Sequence, residues 1–168
     1  MKGRSLSLFL ILTFIISLLT SCKDEAKEFV HCEMTLVLDE SFSEEESESF
    51  DLLLSNGDIV VSLIRISFEA GYGQGISDTY TAKGFAAFFL NKSGKEATLS
   101  EEGSVPYYVY TESTEDGAEI SYTVSFYRSF NAYFVVTYAV AKENESELSD
   151  EILGYLRSAY FNDAPVID

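Results

Sequence analysis

His31 and Cys32 stand side by side, and they are the only histidine and one of the two cysteines in the chain. A Cys–His pair is the chemistry of an activated thiolate, with the imidazole taking the thiol proton. Adjacent residues rarely face each other productively, and no second histidine supports them. A metal centre needs three or four ligands, so this pair falls short, and no metal or cofactor is expected. Gly71-Tyr72-Gly73-Gln74-Gly75 lies between a predicted strand and a predicted helix, where a phosphate-cradling loop would lie. It reads G-x-G-x-G, not G-x-G-x-x-G, and no Lys-Ser/Thr follows, so it is read as a flexible strand-to-helix connection. There is no G-x-S-x-G for a serine hydrolase. Acidic residues number 28, so paired carboxylates for glycoside hydrolysis exist on paper. They cluster in predicted turns, however, and no Trp is present to stack on a sugar. Glu44-Glu45-Glu46-Ser47-Glu48 lacks the alternating Asp/Asn and Gly of a calcium loop and reads as a solvated acidic turn or short helix. No catalytic residue is assigned, and the chain is expected not to be an enzyme.

The one covalent chemistry that spacing supports is at Cys22. Lys2 and Arg4 make a basic start, and Leu6 to Leu19 is apolar apart from Ser7, Thr13 and Ser17. A run of about 14 residues is shorter than the roughly 20 of a membrane-spanning helix and matches a secretory signal. It ends in Leu19, Thr20, Ser21 and Cys22, which resembles the bacterial lipobox. That resemblance implies diacylglycerol attachment to the Cys22 thiol, cleavage before it, and an extracytoplasmic protein anchored in a membrane, the outer membrane if the host is Gram-negative. The competing reading is an ordinary secretory signal cut near Ser21. Residues 1–21 are thus expected to be signal peptide and 22–32 an anchored tether. Cys32 is then left without an intrachain partner.

The formal charge is −17, and removal of Lys2 and Arg4 with no acid takes it to −19. Such a chain is repelled by nucleic-acid backbones and anionic head groups, so no nucleic acid is expected as a partner. Its acids also steer cationic partners over about 8 Å at physiological ionic strength. Hydrophobic residues make up 46% of the chain, enough to build a core within a single domain of this length.

The remaining chain reads as strands around one helix, closed by a second helix. Met34 to Leu38 and Phe50 to Ser55 are predicted strands. Asn56-Gly57 marks a hairpin turn into Asp58 to Glu69, where both faces are apolar at first, so this strand is expected to be central and covered on both sides. Ser77-Asp78 offers an N-cap for a helix from Tyr80 to Leu90, with Phe85, Phe88 and Phe89 on one stripe. Tyr107, Tyr108 and Tyr110 alternate along a strand, a core arrangement or a binding platform. Asp116-Gly117 makes a second turn. Beyond it Ile120, Tyr122, Val124 and Phe126 alternate with Ser121, Thr123 and Ser125, predicting a half-buried strand. Ala132 to Ala141 is a further strand, and Glu145 to Ala159 a helix with Leu148, Ile152 and Leu156 in line. Tight turns require antiparallel pairing. The expected class is α+β, a single mostly antiparallel sheet flanked by helices.

Several of these segments coincide with one known family. They are Met34-Thr35-Leu36-Val37-Leu38, the hairpin through Asn56-Gly57, the aromatic helix, Val105-Pro106-Tyr107-Tyr108-Val109-Tyr110, the two long strands, and the helix ending in Ser158-Ala159-Tyr160-Phe161. Residues 33–162 resemble the PsbP-like α/β/α sandwich shared by photosystem II extrinsic proteins, Mog-type Ran-binding import factors and small bacterial lipoproteins, with 163–168 as a tail. The resemblance implies a protein-binding or assembly module and carries no active site with it. Together with the absent site chemistry it yields the expected function: a membrane-anchored lipoprotein that binds a protein partner. The alternative is a small-ligand-binding or carboxylate-based hydrolytic lipoprotein.

Overall fold

The computed structural model describes residues 26–162. Ten strands, three α-helices and a 3-10 turn follow one another: β1 (Ala26–His31), β2 (Met34–Asp39), β3 (Ser43–Glu45), β4 (Leu52–Ser55), β5 (Ile59–Ser67), α1 (Phe68–Tyr72), α2 (Ala82–Ser93), β6 (Ser100–Glu102), β7 (Val105–Ser113), β8 (Glu119–Arg128), β9 (Ala132–Ala141), the 3-10 turn (Lys142–Asn144), α3 (Glu145–Ser158) and β10 (Tyr160–Phe161). The α+β class and the antiparallel pairing are as expected. The strands divide between two sheets, however, where one was expected: a seven-stranded sheet in the order β3-β4-β5-β9-β8-β7-β6, and a small sheet β1-β2-β10. The small sheet arises because β2 pairs with β1 on one edge and with β10 on the other, and with no strand of the large sheet.

Three layers result. The small sheet and α3 cover one face of the large sheet. Met34, Leu36 and Leu38 of β2 and Ile152 and Leu156 of α3 share a core there with Val61, Leu63, Phe134, Val136 and Tyr138. The other face carries α2, whose Phe85 and Ala86 pack against Tyr108, Val124, Phe126 and Tyr133. Phe85 stacks on Tyr133 with ring centroids 4.2 Å apart and meets Phe126 edge-on at 5.7 Å.

Local chemistry sets the boundaries. In the first hairpin the Asn56 side-chain oxygen accepts the N–H of Asp58 at 3.1 Å and of Ile59 at 2.8 Å, so Gly57-Asp58 are the two loop residues and Gly57 carries the positive φ of 95°. Helix α2 starts later than its aromatic stripe implied. Thr81, not Ser77-Asp78, caps it by accepting the Gly84 N–H at 3.1 Å, and it ends at Gly94 with φ 67°. The segment 22–32 is not all tether, because residues 26–31 form β1, paired with β2 along its whole length and burying Phe29.

Two strands differ from their sequence patterns. The Ser121, Thr123 and Ser125 face of β8 is buried, not solvated. Short hydroxyls can bond the backbone beside them: Ser125 Oγ donates to the Val136 carbonyl at 3.1 Å. Strand β5 is central in the sheet, but only its Ile59, Val61 and Leu63 face is covered. On its other face Val60 is 40% exposed and Ile64 37%.

Candidate interaction surface

Leu19, Thr20, Ser21 and Cys22 lie outside the described residues. His31 ends β1, and Cys32 opens the two-residue turn into β2, exposed and with φ 51°. Neither meets a partner that would make it catalytic. Among the described residues no three His, Cys, Asp or Glu side chains are grouped to hold a metal ion, and no helix is long and apolar enough to cross a membrane. The glycine-rich segment is closed on itself. Gln74 and Ile76 both donate their N–H to the Gly71 carbonyl, at 2.9 and 3.0 Å, and Gly75 donates to Tyr72. A Cβ at Gly71 would sit 3.2 Å from Ile76. These N–H groups serve the loop and do not point outward to a phosphate. The tyrosines of β7 split between layers: Tyr108 is buried under α2, Tyr107 packs on the opposite core, and Tyr110 stacks on Tyr122 with centroids 5.0 Å apart.

Two polar clusters, neither visible in the sequence, tie separate elements together. At the β1–β2 turn the Glu33 carboxylate accepts from Arg65 Nε at 3.2 Å, from Arg65 Nη2 at 3.3 Å and from the Ser129 hydroxyl at 2.8 Å. Arg65 also donates to Asn131 Oδ1 at 3.0 Å. Burial pushes the Glu33 carboxyl up, but the hydrogen bonds from Arg65, its own backbone and Ser129 outweigh this and leave it below its ordinary value. At the other end of β2 the Tyr155 hydroxyl lies 2.5 Å from Asp39 Oδ2 and 2.6 Å from Glu151 Oε1. Burial, followed by these two carboxylates, pushes that phenol far above its ordinary value, so it stays protonated. The first cluster holds the small sheet to the large one, and the second holds α3 to β2.

The open half of the large sheet is the surface these elements leave free. Helix α2 lies across β7 and β8 and meets β9 where Phe85 stacks on Tyr133. Leu53 of β4 pairs with Ser62, Val60 with Ala139, Ser62 with Thr137, and Ala139 with Tyr122, so these side chains line one flat face. From β4 to the Tyr110–Tyr122 stack it runs four strand spacings, about 19 Å, and from Val60 to Ile64 about 13 Å. Aliphatic and small hydroxyl side chains alternate across it, with no charge until its borders. At one border Lys95 pairs with Glu112 and lies 4.8 Å from the Tyr110 ring centroid. At the other, Glu45 of β3 pairs with Leu53, and a trough of about 480 Å³ opens among Glu44, Glu45, Glu46, Phe50 and Leu53. The chain enters this structure at Ala26, in the small sheet on the opposite layer.

No protein-family model matches the chain, and no curated protein matches it in sequence. Solved structures do. A protein from Bacteroides thetaiotaomicron VPI-5482 superposes with a TM-score of 0.56 at 14% identity, over 82% of this chain and 48% of its own, so this chain spans about half of that one. Cyanobacterial PsbP from Synechocystis sp. PCC 6803 gives 0.55 at 11% identity, over 85% of this chain and 96% of its own. The Saccharomyces cerevisiae Ran-binding protein Mog1p gives 0.53 at 11%, over 84% and 97%. The chain therefore has a PsbP/Mog1-like fold, in agreement with the sandwich its sequence resembles.

Proposed function

We propose that this chain is a non-enzymatic protein-binding module, held at an extracytoplasmic membrane surface by lipid on Cys22, and that it binds through the open half of its large sheet. The observation that carries the reading is the exposed Val60 and Ile64 face, an apolar strip on an interior strand of the large sheet. A patch of about 19 by 13 Å is near 250 Å², below the roughly 800 Å² per partner of a stable interface. It therefore suits a segment of a partner, or one contact within a larger assembly, better than a self-dimer built on this patch alone. Entry of the chain on the opposite layer leaves the strip clear of an anchored tether. One structural neighbour is described as Ran-binding, which is consistent with a binding role for such a scaffold.

Two measurements test this. Growth with labelled palmitate is expected to mark the wild-type chain and to leave Cys22→Ala unmarked; equal labelling of both removes the anchor. Photo-crosslinking in membranes from a probe at position 62 is expected to give one discrete adduct, lost in Val60→Asn/Ile64→Asn while the melting temperature stays within a few degrees. An adduct that survives the double substitution places binding elsewhere.

A further inference from the structure

Beneath α3, on the opposite face of the large sheet, the core breaks a packing rule that it obeys elsewhere. The row of β8 on that face is Ser121, Thr123 and Ser125, and all three are buried. Ser125 bonds the Val136 carbonyl, whereas the Ser121 hydroxyl bonds no protein group among the described residues, although the residue is only 2% exposed. An unpaired buried hydroxyl loses its hydration with nothing in return, and Ala or Val would fill such a position without that loss. Beside this row lies a cavity of about 110 Å³, lined by Tyr107 and Val109 of β7, Thr123 of β8, Val140 of β9, and Ile152 and Leu153 of α3. Ser121 borders it by register: it pairs with Val140 and stands two residues from Thr123. The cavity opens beside Val109, which is 37% exposed, with Ser149 on the helix side. Glu145 is the one charged residue in its wall, and Lys142 holds that carboxylate.

We infer that this cavity is a binding site for a small neutral amphiphile, a hydroxyl or amide head on a short aliphatic body. The apolar walls take the body, and the Thr123 and Ser121 hydroxyls, each able to donate and to accept, take the head. Volume sets the length: the cavity is smaller than the roughly 150 Å³ that encloses a benzene, so about four or five heavy atoms fit within it and a longer chain emerges beside Val109. Charge sets the head. An anion would face the Glu145 carboxylate, and a cation would lose its hydration among apolar walls while competing with Lys142. The site is independent of the binding role proposed above, because Val140 packs with Ile152 on the α3 side of the sheet and the Val60 and Ile64 strip lies on the other.

The test uses the full isotope-labelled chain in detergent near neutral pH, read by amide chemical shifts. Isobutanol is the probe, with isobutyrate and isobutylamine as its charged counterparts. Isobutanol is expected to give saturable shifts at Val109, Thr123, Val140 and Ser149, with a dissociation constant on the order of 1–10 mM for so few atoms. The charged probes are expected to bind at least about tenfold more weakly. Ser121→Ala/Thr123→Val keeps the shape and removes both hydroxyls, and is expected to weaken isobutanol about tenfold. Ser149→Phe and Val109→Phe narrow the cavity from the helix and from the sheet, and each is expected to abolish the shifts. Two blocking variants are used so that one misfolded protein does not decide the outcome, and a Tm within a few degrees of wild type checks each fold. Absence of saturable shifts overturns the inference, as do shifts that survive both blocking variants. Equal affinity in Ser121→Ala/Thr123→Val also overturns it, since the cavity would then read no head group. So does a charged probe that binds as tightly as isobutanol.

Discussion

Glu33→Gln is expected to destabilise the protein by about 2 kcal/mol near pH 7, well beyond what a surface ion pair contributes. The magnitude follows from exposure and partners. The Glu33 side chain is 11% exposed and that of Arg65 23%, which places the pair between solvent-exposed pairs, worth about 0.2–1 kcal/mol, and fully buried ones, whose disruption costs about 3–5 kcal/mol. Substitution removes the negative charge from two guanidinium contacts of 3.2 and 3.3 Å and turns an amide N–H toward a donor that cannot accept it. The loss is concentrated where the small sheet meets the large one, because Arg65 lies on β5, Ser129 and Asn131 on the β8–β9 turn, and the Glu33 carbonyl also accepts the Asn162 N–H at 2.8 Å. For a domain of this size the Tm should fall by about 6 °C. A double-mutant cycle with Arg65→Met should return a coupling above about 1 kcal/mol.

The same latch sets a pH dependence. The folded-state pKa of Glu33 lies below the ordinary glutamate value of 4.5, so the folded state holds the deprotonated form more strongly than the unfolded chain does. Its contribution is complete above the unfolded value and is lost as pH falls through the lowered folded value. The Tm gap between wild type and Glu33→Gln should therefore persist from about pH 7 to about pH 5.5 and close toward about pH 3. Thermal melts across that range decide the matter. A gap that is constant with pH, or a coupling below about 0.5 kcal/mol, would show that Glu33 contributes through shape and not charge.

Two further outcomes follow from single residues. The Tyr138 hydroxyl is fully buried and bonds no protein group among the described residues, so Tyr138→Phe should hold or raise stability by up to about 1 kcal/mol; a loss larger than that in a denaturant titration would reveal a bond that the side chain needs. Cys32 adopts φ 51°, a conformation that strains a side chain with a Cβ, so Cys32→Gly should raise the Tm slightly in reducing buffer, and a fall would mean the thiol contributes packing that outweighs the strain.

Turn chemistry and periodicity made most of the elements legible. Asn56-Gly57, Asp116-Gly117, the Phe85, Phe88, Phe89 stripe and the unbroken apolar run of Ala132 to Ala141 each specify local geometry through residues close in sequence. Layer assignment was not legible in the same way. The Ser-Thr-Ser face of β8 looks solvated because hydroxyls are polar, yet it is buried on the α3 side of the sheet, with Ser125 donating to the Val136 carbonyl. β1 was hidden inside a charged segment because Lys27, Glu28 and His31 surround its one buried side chain, Phe29, and only pairing with β2 makes it a strand. The Glu33–Arg65 and Asp39–Tyr155–Glu151 clusters join residues 32 or more positions apart, except for Glu151 and Tyr155 within α3, so spacing carries no trace of them.

The open strip shows why such a surface escapes sequence reasoning even when its residues are read correctly. The alternation of Val60, Ile64 and Ile66 with Ile59, Val61 and Leu63 states that both faces of β5 are apolar, and burial of both is the default for a central strand. What breaks the default is the reach of α2, set by Thr81 and Gly94 at its ends and by Phe85 seating on Tyr133 and Phe126. A helix of 12 residues anchored on β8 covers β7 and β8 and leaves β4 and β5 bare. Among the described residues no element covers Val60 and Ile64, which is why the binding role proposed above is placed on them. The substitutions at Val60 and Ile64 test whether this strip is a binding surface.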